Sequence, residues 1–355
     1  MDSGEMSRRT LIVGAGAAAG LSLMPKFAFA KPNMSKLIKP QRLIPGDTVW
    51  IVAPSGASAG QENIDSGIAK IEGLGYKAKL GNNIAKRYGY LAGTDEERAS
   101  DVNDALRCQE SKGIFFLRGG YGAMRILPDL DYDAFRKYPK VASGFSDITA
   151  LHMAFLTQSR VVTFHGPCAE SSWSPFSKST IGIITEAEAF GEVKHPTGDP
   201  LAMNRKTLVP GIAEGHIVAG NLSMIVSLLG TPYMPSLKDA ILVLEDIGED
   251  PYRVDRMLTQ IWLSGEFKHA KGLIFGNFRE RRPAGAPVPD TSDASTTFNI
   301  DQVFSDRAKK IGLPCYQGLS FGHIGLNHII PQGIRAKINA EACRLDILES
   351  AVSDR

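Results

Sequence analysis

The chain has 355 residues, of which 43% are hydrophobic and 22% charged, with 40 Lys and Arg against 38 Asp and Glu. This composition is typical of a globular protein of about two domains, and it excludes a disordered, collagen-like or multi-span membrane protein. A formal net charge of +2 gives no reason to expect a nucleic-acid partner. Four widely spaced cysteines without a C-x-x-C motif exclude a disulfide scaffold and a cysteine-rich zinc module.

The first 30 residues resemble a twin-arginine signal peptide. Arg8 and Arg9 precede an apolar run, Leu11–Met24, that is too short to span a bilayer comfortably. Ala28-Phe29-Ala30 places small residues at the positions that a signal peptidase reads. We therefore expect residues 1–30 to be removed and the protein to reach the periplasm through the twin-arginine export machinery. An uncleaved anchor or a disordered tail is the alternative.

Short apolar runs alternate with helical segments in the first half of the chain. The runs that predict strands are Thr48–Ala53, Tyr76–Leu80, Gly113–Leu117, Val141–Phe145 and Val161–Phe164. Helical spacing covers residues 60–73 and Asp95–Cys108, with Thr94 as the N-cap of the second helix, and a further helix is expected from Asp147. Strands that alternate with helices predict a parallel sheet covered by helices.

The second half differs in character and begins after a polar, turn-rich crossing. Its predicted strands are 211–220, 240–244, 272–276, 314–320, 334–338 and 344–348, and its predicted helices are 221–229, 252–263 and 301–311. The proline-rich stretch 279–297 is expected to be a mobile surface loop. The resulting boundaries are 36–170 for the first domain, 171–205 for a linker and 206–350 for the second domain.

Three polar residues stand at predicted strand ends, where α/β folds build their sites. Ser146 lies on a sharp strand-to-helix turn, Glu245 ends the apolar strand Ile241–Leu244, and His323 follows another apolar segment. A histidine can accept the proton of a serine while a carboxylate fixes the tautomer of the imidazole. The three residue types therefore point to a nucleophilic triad.

Each of these residues also has a simpler interpretation. Ser146 could be only a helix N-cap, Glu245 a cap or an ion-pair partner of Arg253, and His323 an ordinary loop histidine. Together, His323 and His328 form an H-x-x-x-x-H pattern in a glycine-containing loop, which does not match the helical H-E-x-x-H zinc motif. We therefore expect no catalytic metal.

Several blocks of the sequence are similar, in the same order, to the signatures of the LD-carboxypeptidases. This is the serine-peptidase family that also contains the microcin self-immunity proteins. The blocks are Arg118–Gly122, Gly144–Leu151, Phe164–Pro167, Gly220–Leu222, Gly230–Pro232, Leu244–Leu258 and Phe321–His323, followed by Leu326, Pro331 and Gly333. The resemblance covers roughly residues 37–348. The signal peptide and the long proline-rich stretch depart from the smaller bacterial members of the family.

The resemblance implies a role for each candidate residue. Ser146 corresponds to the nucleophile, Glu245 to the triad carboxylate and His323 to the general base. Glu249 and His328 are nearby alternatives, but the resemblance favours Glu245 and His323, because these two adjoin the Leu-Glu-Asp and Phe-Gly-His blocks. The backbone N–H groups of Gly120 and Asp147 are the expected oxyanion hole, since glycine permits a close approach of the backbone to a substrate.

The resemblance also implies the fold and the activity. The fold would be an N-terminal doubly wound parallel-sheet domain, similar to the class I glutamine amidotransferases, plus a C-terminal β-rich domain, with the site between them. Members of the family release terminal D-alanine from murein tetrapeptides by cleaving an L,D-peptide bond, without a cofactor. A free carboxylate on the substrate must be paired, either by an arginine or by a helix N-terminus, and Arg118, Arg125 and Arg253 are the candidate arginines.

Two other functions remain open at the level of sequence. The immunity branch of the family cleaves amide bonds in peptide–nucleotide conjugates, which would be favoured if an aromatic side chain such as Trp173 faced the site. A catalytically inactive protein that binds murein peptides is the second alternative. The sequence also leaves the oligomeric state open, although members of the family often form dimers.

Overall fold

A computed structural model of the protein describes residues 36–173, 180–194, 205–279 and 297–355. The apolar runs of the first half form a six-stranded sheet. Its strands are β1 (Thr48–Val52), β2 (Lys77–Leu80), β3 (Gly113–Phe116), β4 (Val141–Gly144), β5 (Phe164–His165) and, from far along the chain, β12 (Ile330–Pro331). The order is β12-β5-β4-β3-β1-β2, and only β12 is antiparallel to its neighbour.

Helices connect the strands of this first sheet. They are α1 (Gln61–Glu72), α2 (Asp95–Arg107), α3 (Tyr132–Lys137) and α4 (Thr149–Ala154), with 3₁₀ turns at Ala123–Asp129 and Ser146–Ile148, and a short helix α5 (Gly182–Thr185) follows β5. A capping box fixes the start of α2, because Thr94 accepts from Glu97 N and the Glu97 carboxylate accepts from Thr94 N. The predicted N-cap of this helix is confirmed.

The second half forms an eight-stranded mixed sheet. Its strands are β6 (Gly191–Glu192), β7 (Lys206–Val209), β8 (Ile212–Asn221), β9 (Ala240–Ile247), β10 (Gly272–Arg279), β11 (Cys315–Gln317), β13 (Arg335–Asn339) and β14 (Arg344–Ile347). The order is β6-β14-β13-β8-β9-β10-β11-β7. The four central strands, β8 to β11, are parallel, and the flanking strands pair antiparallel.

The parallel centre of the second sheet carries its own helices, α6 (Leu222–Leu228), α7 (Pro251–Ser264) and α8 (Ile300–Ile311). Asn221 caps α6, and Asn299 with Gln302 forms a capping box at α8. The helices α7 and α8 end at glycines in the left-handed conformation. Among the described helices, none has the length and apolarity needed to cross a bilayer.

The two sheets share their hydrophobic core. In β1, Trp50 and Val52 belong to one buried cluster while Val49 and Ile51 belong to another, as expected for a strand buried on both faces. Each of the two clusters also contains side chains of β8, β9 and β10. The predicted fold class, a doubly wound parallel sheet followed by a second sheet-containing domain, is confirmed.

Several details differ from the sequence-based expectations. The strand expected at Val161–Phe164 is only Phe164–His165, because Val161 makes a single bridge with Ile38 instead. The stretch expected to link the domains, 171–205, contains α5 and β6, and β6 pairs with β14. The short strand β12 returns from the second half to the first sheet, so the chain crosses between the two sheets more than once.

Two predicted segments lie largely outside the described residues. These are the signal peptide, 1–30, and the proline-rich stretch 279–297. The first residue of that stretch, Arg279, is described and ends strand β10, whereas it was expected to open a loop. Arg279 pairs in register with Ile247 of β9, which fixes its backbone in the sheet.

Candidate active site

Ser146 occupies a strained turn directly after β4. Its φ is 66°, in the left-handed region that residues other than glycine rarely adopt, and a 3₁₀ turn and α4 follow. A serine on such a strand–turn–helix junction presents its hydroxyl away from the sheet, as in a nucleophile elbow. A Cβ added at Gly119 would lie 2.8 Å from Ser146 Cβ and 3.1 Å from its Oγ. The glycine-rich loop after β3 therefore approaches the serine closely.

The same loop is attached to the turn by the residue after the serine. Asp147 is buried, and its Oδ2 accepts a 2.8 Å hydrogen bond from the backbone N–H of Ala123. Burial raises the pKa of the Asp147 carboxyl above its usual range. Between the two attachment points lies Gly120, with a φ of 113° that favours glycine. The two residues predicted to form the oxyanion hole, Gly120 and Asp147, thus flank the Ser146 turn.

Glu245 lies inside a strand and not at its end, which corrects the sequence-based expectation. β9 continues to Ile247, and Glu245 pairs in register with Asn221 of β8. The carboxylate is completely buried. Burial alone would raise its pKa, but the imidazoles of His165 and His323 outweigh that effect and lower the pKa to about 2. Glu245 is therefore a buried, ionised carboxylate at neutral pH.

His323 contacts this carboxylate directly, with Nδ1 2.7 Å from Oε2 of Glu245. Because an ionised carboxylate only accepts hydrogen bonds, Nδ1 carries the proton and donates it, which leaves Nε2 as an acceptor. The ring is 16% exposed and lies 4.8 Å from the ring of Phe145, the neighbour of Ser146. In the described part of the chain, no hydrogen bond joins His323 to Ser146.

Gly322 allows this contact to form. Its φ is 113°, and a Cβ added there would lie 2.7 Å from both Cβ and Oε2 of Glu245. Asn327 accepts a 2.9 Å hydrogen bond from Gly322 N, and Asn277 N donates to Phe321 O. The loop that carries His323 is thereby held against β9 and β10.

A second imidazole approaches Glu245 from the first sheet. His165 in β5 is completely buried, and its Nε2 lies 3.8 Å from Oε1 of Glu245. Its ring also packs 4.3 Å from that of Phe321. Burial lowers the pKa of His165, so the ring is neutral. His165 lies in the matching block Phe164–Pro167, and no role was predicted for it; its position at a strand end was the available signal.

The alternatives to Glu245 and His323 lie elsewhere. Glu249 follows β9 and lies 3.8 Å from Arg253, one turn along the chain. His328 is buried, and its Nε2 donates to the carbonyl of Lys194. Burial lowers the pKa of His328 to about 4. The structure therefore pairs His323 with Glu245, whereas Glu249 and His328 contact other groups.

A cavity of about 620 Å³ opens beside His323. It is lined by Phe145, Pro167, Ser171 and Ser172 from the first half and by Ile247, Asn277, Arg279 and 323–327 from the second half. Its size suits a short peptide or another small ligand. Phe145, the residue before Ser146, is part of this lining, whereas Ser146 itself is not among the lining residues. The cavity thus combines residues from both halves of the chain.

None of the three arginines predicted to bind a substrate carboxylate is among the described residues that line this cavity. Arg118 donates to Ala57 O at 3.1 Å. Arg125 makes a two-pronged ion pair with Asp95, at 2.9 and 2.8 Å. Arg253 is half exposed on α7 and lies near Glu249. The described cavity wall contains Arg279 instead.

The described residues contain no group of three or more His, Cys, Asp or Glu side chains arranged to hold a metal ion. All four cysteines are free thiols. The chemical groups that the site does offer are a hydroxyl on a strained turn, an imidazole paired with a buried carboxylate, and a cavity lined by that imidazole. Such an arrangement suits nucleophilic attack on a carbonyl carbon.

Comparison with known proteins gives consistent matches along the chain. Residues 49–166 match the model of the LD-carboxypeptidase N-terminal domain, and residues 214–338 match that of the C-terminal domain. The Bacillus subtilis (strain 168) protein named "Probable murein peptide carboxypeptidase" is 33% identical over 316 residues, covering 89% of this chain and 96% of the relative.

Solved structures show the same similarity. The muramoyltetrapeptide carboxypeptidase of Oxalobacter formigenes is 31% identical, with a TM-score of 0.71, and the match covers 84% of this chain and 98% of that one. The microcin C7 self-immunity protein MccF has a TM-score of 0.76 at 23% identity, with 89% of this chain and 99% of that one covered. At that identity, the likeness to MccF concerns the fold alone.

Proposed function

This chain belongs to the LD-carboxypeptidase family and is an enzyme of that class, and we propose that it releases terminal D-alanine from murein tetrapeptides with a Ser146–His323–Glu245 triad. The substrate would be a peptide with a free carboxyl-terminal D-residue, and the bond cleaved would be the one that joins an L-centre to it. The names of the relatives, which refer to murein peptides and muramoyltetrapeptides, support this substrate class.

The observation that carries the proposal is the 2.7 Å hydrogen bond between His323 Nδ1 and Glu245 Oε2. It orients the imidazole so that Nε2 can take the proton of the Ser146 hydroxyl as Oγ attacks the scissile carbonyl carbon. The protonated imidazole is then stabilised by the buried, ionised Glu245. His323 next gives that proton to the departing D-alanine nitrogen, and water hydrolyses the acyl–Ser146 ester by the reverse sequence.

The negative charge that develops on the carbonyl oxygen needs preorganised donors. We assign this role to the backbone N–H groups of Gly120 and Asp147. The contact between Ala123 N and the Asp147 carboxylate holds their two segments together, and Gly119 brings the loop against Ser146. Removing one such donor typically costs about 10²–10³-fold in kcat. No step of this mechanism requires a cofactor.

The experiment that tests the function is mass spectrometry of a murein tetrapeptide incubated with the purified protein. We expect the mass of one alanine residue to be lost and free D-alanine to appear, and Ser146→Ala should abolish both. Release of an alanine that continues in Ser146→Ala would contradict the triad. Binding without any cleavage by the wild-type protein would indicate a murein-peptide binding protein.

The same experiment separates the immunity branch from the carboxypeptidases. An acyl-nucleotide amide serves as the second substrate, and cleavage of this compound alone would assign the protein to that branch. Trp173, the aromatic residue considered as a platform for a nucleobase, packs 6.0 Å from the Phe115 ring and donates its indole N–H to Cys168 O. These contacts favour a structural role for Trp173.

We propose in addition that the protein acts in the periplasm after twin-arginine export and cleavage behind Ala30. The support is the Arg8-Arg9 pair, the short apolar run and Ala28-Phe29-Ala30. N-terminal sequencing of the periplasmic protein should begin at Lys31. The double substitution of Arg8 and Arg9 by lysine should leave the protein in the cytoplasm. Periplasmic protein that retains Met1 would contradict cleavage.

A further inference from the structure

Arg279 gives the cavity beside His323 its cationic character. Among the described residues that line the cavity, it is the only arginine or lysine. Its guanidinium forms no ion pair with any described side chain, whereas Arg125 is fully engaged by Asp95. A peptide whose bond is cut one residue from its end carries a carboxylate three covalent bonds from the scissile carbonyl carbon. A cation that binds this carboxylate must therefore lie in the same cavity as the general base.

The sheet holds Arg279 firmly in this position. It is the last residue of β10, its carbonyl accepts a 2.6 Å hydrogen bond from Gly248 N, and it pairs with Ile247 of β9. Asn277 lies two residues earlier on the same face of the strand and also lines the cavity. Because its backbone is fixed, the long side chain of Arg279 loses less freedom on binding than one on a flexible loop.

The carboxylates near Arg279 are already engaged. Asp246 and Glu249 line a small recess next to it. Asp246 accepts hydrogen bonds from Asn221 and from both N–H and hydroxyl of Ser223, at 2.8–2.9 Å. Glu249 lies closest to Arg253, at 3.8 Å. Neither carboxylate is within ion-pair distance of Arg279, so its fork of N–H donors is available to a ligand.

Asn277 provides a second polar group in the same wall. Its side chain is 8% exposed, and its Oδ1 is buried without a hydrogen-bond partner among the described residues. An unpaired buried acceptor is costly and is satisfied when a ligand supplies an N–H. A terminal amino-acid residue carries both groups that this wall lacks, a carboxylate for Arg279 and a nitrogen donor for Asn277.

We propose that Arg279 binds the free α-carboxylate of the terminal D-residue and so restricts the enzyme to cleavage at the carboxyl end. This inference rests on the proposed function. A planar guanidinium suits a carboxylate because two parallel N–H···O bonds form at once. The residue is a specificity determinant, and neither Arg118, Arg125 nor Arg253 has this role.

The test compares two substrates and four proteins. The substrates are a murein tetrapeptide with a free terminal carboxylate and the same peptide with its terminus amidated. The proteins are the wild type, Arg279→Gln, Arg279→Lys and, as a control outside the cavity, Arg253→Gln. Initial rates of release of D-alanine or D-alaninamide give kcat/KM for each combination.

The wild type should prefer the free acid by about 100-fold, because amidation removes the charge that pairs with Arg279. Arg279→Gln should lose about that factor on the acid and little on the amide, so that the preference disappears. Arg279→Lys should retain part of the preference, and Arg253→Gln should retain all of it. Thermal unfolding of each variant reports whether its fold is intact.

Two failures are distinguishable. If the wild type releases no D-alanine from the free acid, the proposed function is wrong. If the wild type is active and dependent on Ser146, but Arg279→Gln keeps the preference, or loses equal activity on both substrates at an unchanged unfolding temperature, only the role of Arg279 is wrong. Arg279→Gln could instead lose activity on both substrates and also unfold at a lower temperature. In that case Arg279→Lys decides: the proposal stands only if this variant keeps part of the preference for the free acid.

Discussion

The imidazole of His165 lies against the carboxylate of Glu245, with Nε2 3.8 Å from Oε1, and both side chains are completely buried. Nδ1 of His323 lies 2.7 Å from the other carboxylate oxygen, Oε2. Burial lowers the pKa of His165, while the pKa of Glu245 falls to about 2. A neutral ring and an ionised carboxylate therefore face each other, and the partial positive charge of a ring N–H can stabilise Glu245 without adding a second full charge.

This relationship predicts that His165 acts on catalysis through Glu245. His165→Phe keeps a ring in the pocket but removes the N–H, whereas His165→Gln keeps a donor. We expect His165→Phe to raise the pKa of Glu245 and to move the acid-side loss of kcat/KM to higher pH, with kcat lowered by about 10-fold. His165→Gln should retain the wild-type profile more closely. Identical pH profiles for the two variants would show that the residue only fills space.

The triad variants should differ in severity in a defined order. Ser146→Ala and His323→Ala should each lower kcat by about 10⁴–10⁶-fold, and the double variant should be little worse than either. Glu245→Ala should cost less, because this residue orients the imidazole and does not react. Glu249→Ala is the matched control and should stay near wild type, as Glu249 lies by Arg253. A severe Glu249→Ala with a mild Glu245→Ala would reverse the assignment of the carboxylate.

The sequence predicted the local structure where residues that are neighbours in the chain determine it by themselves. Phe145-Ser146-Asp147 follows the apolar strand β4, and Ser146 takes the positive φ of a sharp strand-to-helix turn. Thr94 could be recognised as the N-cap of α2 for the same reason, and in the structure Glu97 completes a capping box with it. In both cases the residues that determine the structure are neighbours in the chain.

Other features depend on partners that are distant in sequence. A Glu-Asp pair ordinarily ends a strand, but Glu245 and Asp246 continue β9 because His323, Asn221 and Ser223 bind their carboxylates. The return of β12 to the first sheet has no local signal in Ile330–Pro331. Arg279 was missed as a cavity residue because the prolines after it predicted a loop, whereas its pairing with β9 is a tertiary contact.

Gly322 should be indispensable for activity. In Gly322→Ala the new Cβ would lie 2.7 Å from Glu245 Cβ, so the loop must move and the His323–Glu245 hydrogen bond must lengthen. A misplacement of this kind typically costs about 100-fold in rate. Gly265→Ala is a suitable control, because Gly265 also has a positive φ, 85°, but has nothing within 4 Å of the added Cβ. It should lose about 1–2 kcal/mol of stability and no activity. Kinetics and urea unfolding of both variants provide the comparison.

His152 should make the protein less stable in acid. Its ring is completely buried and contacts Thr163 Oγ1 at 2.9 Å and Gly144 O at 2.8 Å, and burial lowers its pKa from 6.5 to about 3. Below pH 6.5, His152 therefore binds a proton in the unfolded chain but not in the folded protein. His152 therefore does not lower the free energy of unfolding above pH 6.5. Between pH 6.5 and 3 it lowers that free energy progressively as the pH falls, by about 1.4 kcal/mol per pH unit.

Replacing His152 by glutamine tests this linkage. Between pH 6 and 4, the slope of unfolding free energy against pH should fall by about 1.4 kcal/mol per unit relative to the wild type, whatever the absolute stability of the variant. A wild-type slope in His152→Gln would mean that other buried groups, such as His328, carry the whole dependence.

The stereochemistry of the terminal residue should decide whether the peptide is cut. The enzyme should remove one D-alanine from a murein tetrapeptide and leave the tripeptide product intact. A tetrapeptide that ends in L-alanine has the methyl group and the carboxylate exchanged in position, so its carboxylate points away from Arg279 when the scissile carbonyl lies at Ser146. Losing a charge-assisted pair in the transition state costs several kcal/mol, so kcat/KM for the L-terminated peptide should be at least about 100-fold lower. Chromatography of the two digests under identical conditions gives this ratio. Equal kcat/KM for the two peptides would mean that no fixed cation binds the terminal carboxylate. This result would contradict both the carboxypeptidase specificity and the role of Arg279.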